Sequence, residues 1–312
     1  MIPPLPTVVT TTMAMRAERM HHYLFHEVRN NWLSYPHSVR QQLTTLGWAP
    51  PRPALDAHGH ALLTNNSGED FLYMHRQMIA MVNGFLAQAG SPAYPKIVGW
   101  NPIPAPGDAD YPVPPVWDPS VQDVKSDDFY TSRIVAWEQQ YTDQHNLSQW
   151  TLGELGSRLE FSIHNALHMR WSSQPTMNRP DADPTQPDAT IPTTFDDPSY
   201  DFLGDTYSSH VNYIFWKLHG WIDNRIEDWK AANGVTGEPH WVGTWMGKMD
   251  MVSMPAMHDM EALPHGMHPD FAAIHTLEHI QNMEQVRQVI AAAGVSRPRF
   301  LIDPSLLPKV RA

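Results

Sequence analysis

The sequence predicts a mainly α-helical bundle with a buried site in its core, and three observations carry that expectation. Apolar residues recur at helical spacing in several long windows, strand-like alternation is weak throughout, and proline-crowded stretches separate the windows. The chain has 312 residues, enough to bury a substantial core, and reads as one domain with long loops.

Residues 18–34 read as a helix with Leu24, Phe25, Val28 and Trp32 at helical spacing, and a short helix over 38–46 is ended by Pro50, Pro51 and Pro53. Over 70–88 Phe71, Leu72, Met78, Ile79, Val82, Phe85 and Leu86 make one apolar stripe, with Asp70 placed as N-terminal cap and His75 inside the stripe. The stretch from Ser91 to Pro119 holds too many prolines for a helix or an inner strand and reads as a long ordered loop. Ser126 then caps a helix to about Gln144, with Tyr130, Ile134, Trp137 and Tyr141 facing inward, and another helix spans 152–171. A second loop, rich in proline and aspartate, fills 173–200. The most regular helix follows over 208–230, its stripe formed by Val211, Ile214, Phe215, Leu218, Ile222, Ile226 and Trp229, with His219 at the edge. A last helix is expected over 270–293.

A formal charge of −12 with no run of Lys or Arg argues against nucleic acid and against acidic partners. Cysteine is absent, which removes disulfides, thiolate metal sites, Fe–S clusters and a thiol nucleophile, and leaves histidine as the natural metal ligand. No apolar run is long enough to span a bilayer, so no membrane role is expected. Residues 1–20 lack a charged start followed by an apolar stretch. No signal peptide is therefore recognised and a cytoplasmic location is favoured, although a chain without Cys is at ease in either redox environment.

Glu160, His164 and His168 fall at successive i, i+4 positions, so a carboxylate and two imidazoles share a helix face and a third imidazole can arrive from a neighbouring helix. His219 lies among apolar residues, where an unpaired imidazole is costly unless hydrogen-bonded or ligating, and Asp223 one turn on is placed to orient it or a neighbour. The bland alternative for Glu160 is a helix-surface pair with Arg158 or Arg170.

Three blocks, LGELGSRLEFSIHNALH at 152–168, FWKLHGWID at 215–223 and FLYMHR at 71–76, resemble the type 3 copper proteins: tyrosinases, catechol oxidases and haemocyanin oxygen-binding domains. The resemblance covers about 70 to 225. It implies a tyrosinase-like bundle with two copper ions, each on three imidazoles, that bind dioxygen between them and oxidise a small phenolic substrate. It makes His164, His168 and His219 the ligands of the second copper and His75 the last ligand of the first. It also associates Glu160 and Asn165 with holding a water that takes the proton of an incoming phenol. The family's middle ligand of the first copper falls here on Asn66. The candidates to complete that site are His58 or His60, near a turn at 64–68, and His21, His22 or His26 on the first helix; His26 and His60 are the expected pair.

The catalytic domain is expected over 1–245, with 246–312 packing on or over it. Between Met246 and His268 seven methionines alternate with His258, His265 and His268, a composition suited either to collecting Cu(I), alongside a copper-delivery partner, or to an apolar flap. His275, Glu278 and His279 read as a solvated helix face. The leading expectation is a dicopper oxidoreductase acting on phenols, catechols or aminophenols. The rival is a copper-binding or dioxygen-carrying protein without turnover.

Overall fold

The computed structural model describes residues 4–174, 191–248, 276–295 and 300–308. Within them the chain is mainly helical and holds no β-strand, only an isolated bridge between Leu55 and Ala61. No helix among the described residues is long and apolar enough to cross a membrane.

The first helix, α1 (Thr7–Met13), lies where none was expected, because its sequence, TVVTTTM, is poor in helix propensity. Burial of Val9 and Met13 supplies what propensity does not. Helix α2 (Arg16–Asn31) stops three residues short of the expected end, Trp32–Ser34 forming a single 3-10 turn ahead of Pro36. Helix α3 (His37–Thr45) starts directly after that proline.

Helix α4 (Ser67–Ala89) begins one turn before its expected cap. Asn66 precedes it in the left-handed region at φ 61°, and Asp70 lies inside the first turn. Its carboxylate accepts from Arg52 (2.7 and 3.0 Å) and from the Trp245 N–H (2.8 Å). Glu69 beside it accepts from the N–H groups of Val242 and Gly243, so the acidic first turn holds the 242–245 segment against the helix.

Residues 91–118 contain no helix. Helix α5 (residues 127–142) is capped by Ser126 as expected and passes through a π turn at Tyr130–Ile134. Asp143 caps α6 (Gln144–Gln149) and Thr151 caps α7 (residues 152–171). Helix α7 carries its own π turn at Glu160–His164, where Phe161 departs from helical geometry at φ −93°, ψ 18°. Helix α8 (Tyr213–Asn233) starts later than expected: Asn212 is extended and its side chain accepts from the Ile214 N–H, so Ser209–Val211 remain a separate 3-10 turn. Helix α9 (Leu277–Ala293) is capped by Thr276; the expected start at Asp270 lies outside the described residues.

Two crossings place the site. Helix α4 runs against α7 so closely that a Cβ on Gly156 would stand 2.2 Å from the Gly68 carbonyl oxygen, and one on Gly68 2.1 Å from the Ser157 nitrogen. Only glycine permits that approach, which brings the histidine of α4 to the histidines of α7. Helix α2 buries Ala17, Met20, Tyr23, Leu24 and Val28 in a cluster with Leu43 of α3 and Met283, Val286 and Ile290 of α9. Its other side turns His22 toward Phe215 of α8 and His75 of α4.

Candidate metal centre

Six imidazoles from four helices meet in the interior, none more than 6 % exposed. They form two groups of three whose ring nitrogens converge: His22, His26 and His75, and His164, His168 and His219. Each group is built alike, with two histidines one turn apart on a single helix (α2 or α7) and a third from the facing helix (α4 or α8). The two groups touch. His75 stacks on His219 with ring centroids 4.1 Å apart and planes 13° from parallel, and His26 faces His164 at 6.4 Å.

Hydrogen bonds fix which nitrogen each ring offers. His22 Nδ1 lies 2.6 Å from the Thr206 carbonyl oxygen, His75 Nδ1 2.8 Å from that of Phe71, and His168 Nδ1 3.0 Å from that of Leu203. A carbonyl only accepts, so in each ring Nδ1 carries the proton and Nε2 keeps its lone pair. His164 Nδ1 is placed in the same way by Asn165 Oδ1 at 2.8 Å. The Nε2 atoms of His22, His75 and His164 are buried with no hydrogen-bond partner. Each such orphan costs about 1–3 kcal/mol unless something binds it.

His168 Nε2 and His219 Nε2 stand 3.3 Å apart. Two imidazoles on one tetrahedral ion, with bonds of roughly 2.0–2.1 Å, would stand about 3.3 Å apart. Burial pushes His164 down to about 4 and His22 down to about 3, and holds His26, His75, His168 and His219 well below the usual imidazole range. All six are neutral at pH 7, the form that ligates metal. Orphaned nitrogens, fixed tautomers and ligand spacing all fit metal ions, and both triads could hold one.

The structure corrects the expected first triad. His60 is exposed on a surface turn: Asp56 accepts the backbone N–H groups of His58 and His60 and lies 3.3 Å from the His60 ring, so the turn closes on itself away from the core. His22 takes the place given to His60, beside the expected His26 and His75. Asp223 does not orient His219; it pairs with Arg76 at 2.8 Å. His279 is buried at 2 % exposure rather than solvated, its ring 6.3 Å from that of His21. His275 and the Met/His-rich residues from Met249 to His268 lie outside the described residues.

Glu160 pairs with neither Arg158 nor Arg170. Both its oxygens accept from Arg29 of α2, at 2.7 and 2.5 Å, and Oε1 lies 3.6 Å from His26 Nδ1. Arg158 pairs instead with Glu154 one turn before it. The Asn165 amide is engaged on both sides, accepting from His164 and donating to the Leu301 carbonyl at 2.6 Å. Arg29 gave no sequence signal as a partner of Glu160, since the two are brought together only by the crossing of α2 and α7. Nor did Phe300, which stacks on His168 at 4.3 Å and 11° and meets the His164 ring edge-on at 6.1 Å.

No protein-family model and no curated protein matches the chain, so the two histidine triads are the ground on which its function is read.

Proposed function

We propose that the chain is a dicopper oxidoreductase of the type 3 copper kind, using dioxygen to hydroxylate phenols or to oxidise catechols or aminophenols to quinones. The observation that carries the reading is the pair of adjoining all-imidazole triads, each with a two-residue helical-turn pair and one ligand from a facing helix. Neutral imidazole suits copper in both oxidation states, and no thiolate or carboxylate belongs to either triad. When bound, a pair of one-electron metal centres supplies the two-electron reduction of dioxygen that a phenol oxidase needs.

The chain's own residues account for the rest. The carbonyls of Thr206, Phe71 and Leu203, with Asn165, hold four rings in the ligating tautomer. Phe71, Phe215 and Phe300 line the triads with aromatic surface, packing against His164, His219 and His168 respectively. Glu160 is the carboxylate beside His26 and His164, and we assign it the acceptance, through a water, of the phenolic proton, with Arg29 supplying the opposing charge.

Reconstitution tests the assignment. Copper-loaded protein is expected to turn over a monophenol or a catechol, and His164→Ala and His219→Ala are each expected to lose one copper and all activity. Full activity in either variant overturns it. Glu160→Gln is expected to slow hydroxylation more than catechol oxidation; equal loss on both removes Glu160 from proton handling.

A second reading, a copper or dioxygen carrier without turnover, is favoured by the depth of the second triad: His164, His168 and His219 are each 1 % exposed, and Phe300 stacks on His168. A carrier would load two coppers and leave phenols untouched even after Phe300→Ala.

A further inference from the structure

The run from Phe202 to Ser208, between the two halves of the second site, is wholly buried yet contains no helix. A buried irregular segment must find a partner for every backbone group, so each bond inside it has a reason. Two of its carbonyls face metal ligands from different triads: Leu203 accepts from His168 of the second triad at 3.0 Å, and Thr206 from His22 of the first at 2.6 Å. One four-residue stretch therefore sets the tautomer and ring angle of a ligand in each site.

What shapes the stretch is Asp205, which is fully buried. Its Oδ1 accepts from the Ser208 N–H (2.6 Å) and the Ser208 hydroxyl (2.8 Å), and its Oδ2 accepts from the Tyr200 hydroxyl (2.6 Å). Ser208 Oγ also stands 2.8 Å from the Phe202 carbonyl oxygen, so its one hydrogen is shared between the two acceptors, while the Tyr200 hydroxyl and the Ser208 N–H hold the carboxylate to the turn from both sides. Arg19, one turn before His22 on α2, donates to the carbonyls of Asp197 and Tyr200 at 2.9 Å each and ties the same loop to the ligand helix. None of these residues touches the converging ring nitrogens, and none stood out in the sequence.

We propose that Asp205 is a shared positioning residue for both metal sites: by fixing the Leu203 and Thr206 carbonyls it holds one ligand of each triad, so that the two sites are tuned together. The inference rests on the proposed reading of the triads as metal sites. Because the groups that orient histidine ligands typically govern metal affinity by about 10–100-fold, loss of Asp205 falls on both sites and not on one.

The test is Cu(I) competition against a chromophoric chelator in two backgrounds. The first carries His164→Ala and His168→Ala and keeps only the His22 triad; the second carries His22→Ala and His26→Ala and keeps only the His164 triad. Asp205→Ala is expected to lower Cu(I) affinity by about 10-fold or more in each. Leu43→Ala, a buried substitution in the α2–α3–α9 cluster, serves as a comparator for stability loss and is expected to leave both affinities unchanged.

Asp205→Asn keeps an acceptor for Ser208 and is expected to fold and to lose less at both sites. If Asp205→Ala does not fold, this variant carries the test through ¹⁵N spectra of the metal-free protein, in which part of His22 and part of His168 shift together from the Nδ1–H to the Nε2–H form. Loss confined to one triad, no loss at either, or equal loss in Leu43→Ala overturns the proposal. Absence of copper binding in the wild-type chain and in both backgrounds overturns the metal-site reading instead.

Discussion

Metal-free protein is expected to unfold on mild acidification, and the size of the effect follows from the buried histidines. In the unfolded chain an imidazole titrates near 6.5, whereas burial holds His164 at about 4 and His22 at about 3. Between those values the unfolded state binds more protons, so stability falls as pH drops below 6.5 and levels off only below the folded value. From pH 7 to pH 5 each of the two contributes a loss of about 2 kcal/mol, about 4 kcal/mol together. That alone approaches the 5–15 kcal/mol (about) that separates a folded domain from its unfolded chain. His26, His75, His168 and His219 act with the same sign. Circular dichroism and tryptophan fluorescence of chelator-treated protein should therefore show a cooperative transition between pH 6.5 and pH 5, with uptake of several protons per chain. Copper-loaded protein, its ring nitrogens occupied, should hold its fold to lower pH. A metal-free chain that stays folded and titrates no histidine cooperatively down to pH 4.5 would refute the reasoning.

Three further outcomes separate the parts of the account. His60→Ala should leave copper content unchanged while His22→Ala removes one equivalent, read by elemental analysis after desalting; the reverse would restore His60 to the site. Gly156→Ala forces a methyl into the Gly68 backbone and should cost about 3 kcal/mol or more, seen as a lower denaturant midpoint at unchanged slope. A neutral result would mean that α4 and α7 do not touch there. Phe300→Ala uncovers His168 and should raise kcat/KM for a bulky phenol about tenfold, equivalent to about 1.4 kcal/mol; unchanged kinetics would show that substrate enters elsewhere.

The second triad was legible because helical spacing alone puts His164 and His168 on one face, and the apolar stripe of α8 points His219 inward. The same i, i+4 signal existed in His22 and His26, but His21 fits the apolar stripe of α2 better, and a histidine-bearing turn at 56–60 competed for the place. Turn chemistry at Asp56 decides against His60, and that is a local bond pattern rather than a periodicity. Helix starts drifted where capping was ambiguous: Asp70 looks like a cap yet serves Arg52 and Trp245, whereas Asn212 is the cap of α8. Least visible were the groups around the ligands. Arg29, Phe300 and the Leu203 and Thr206 carbonyls come from distant segments, and their roles depend on how α2, α7 and the buried 202–208 stretch meet.

The most direct test of the central claim is copper content and electron paramagnetic resonance on protein reconstituted with Cu(II) and freed of loosely held metal. Two adjoining triads predict two coppers per chain with the Cu(II) signal largely lost to coupling between neighbouring ions. One copper per chain, or two whose signal integrates to the full copper content, would contradict a paired site.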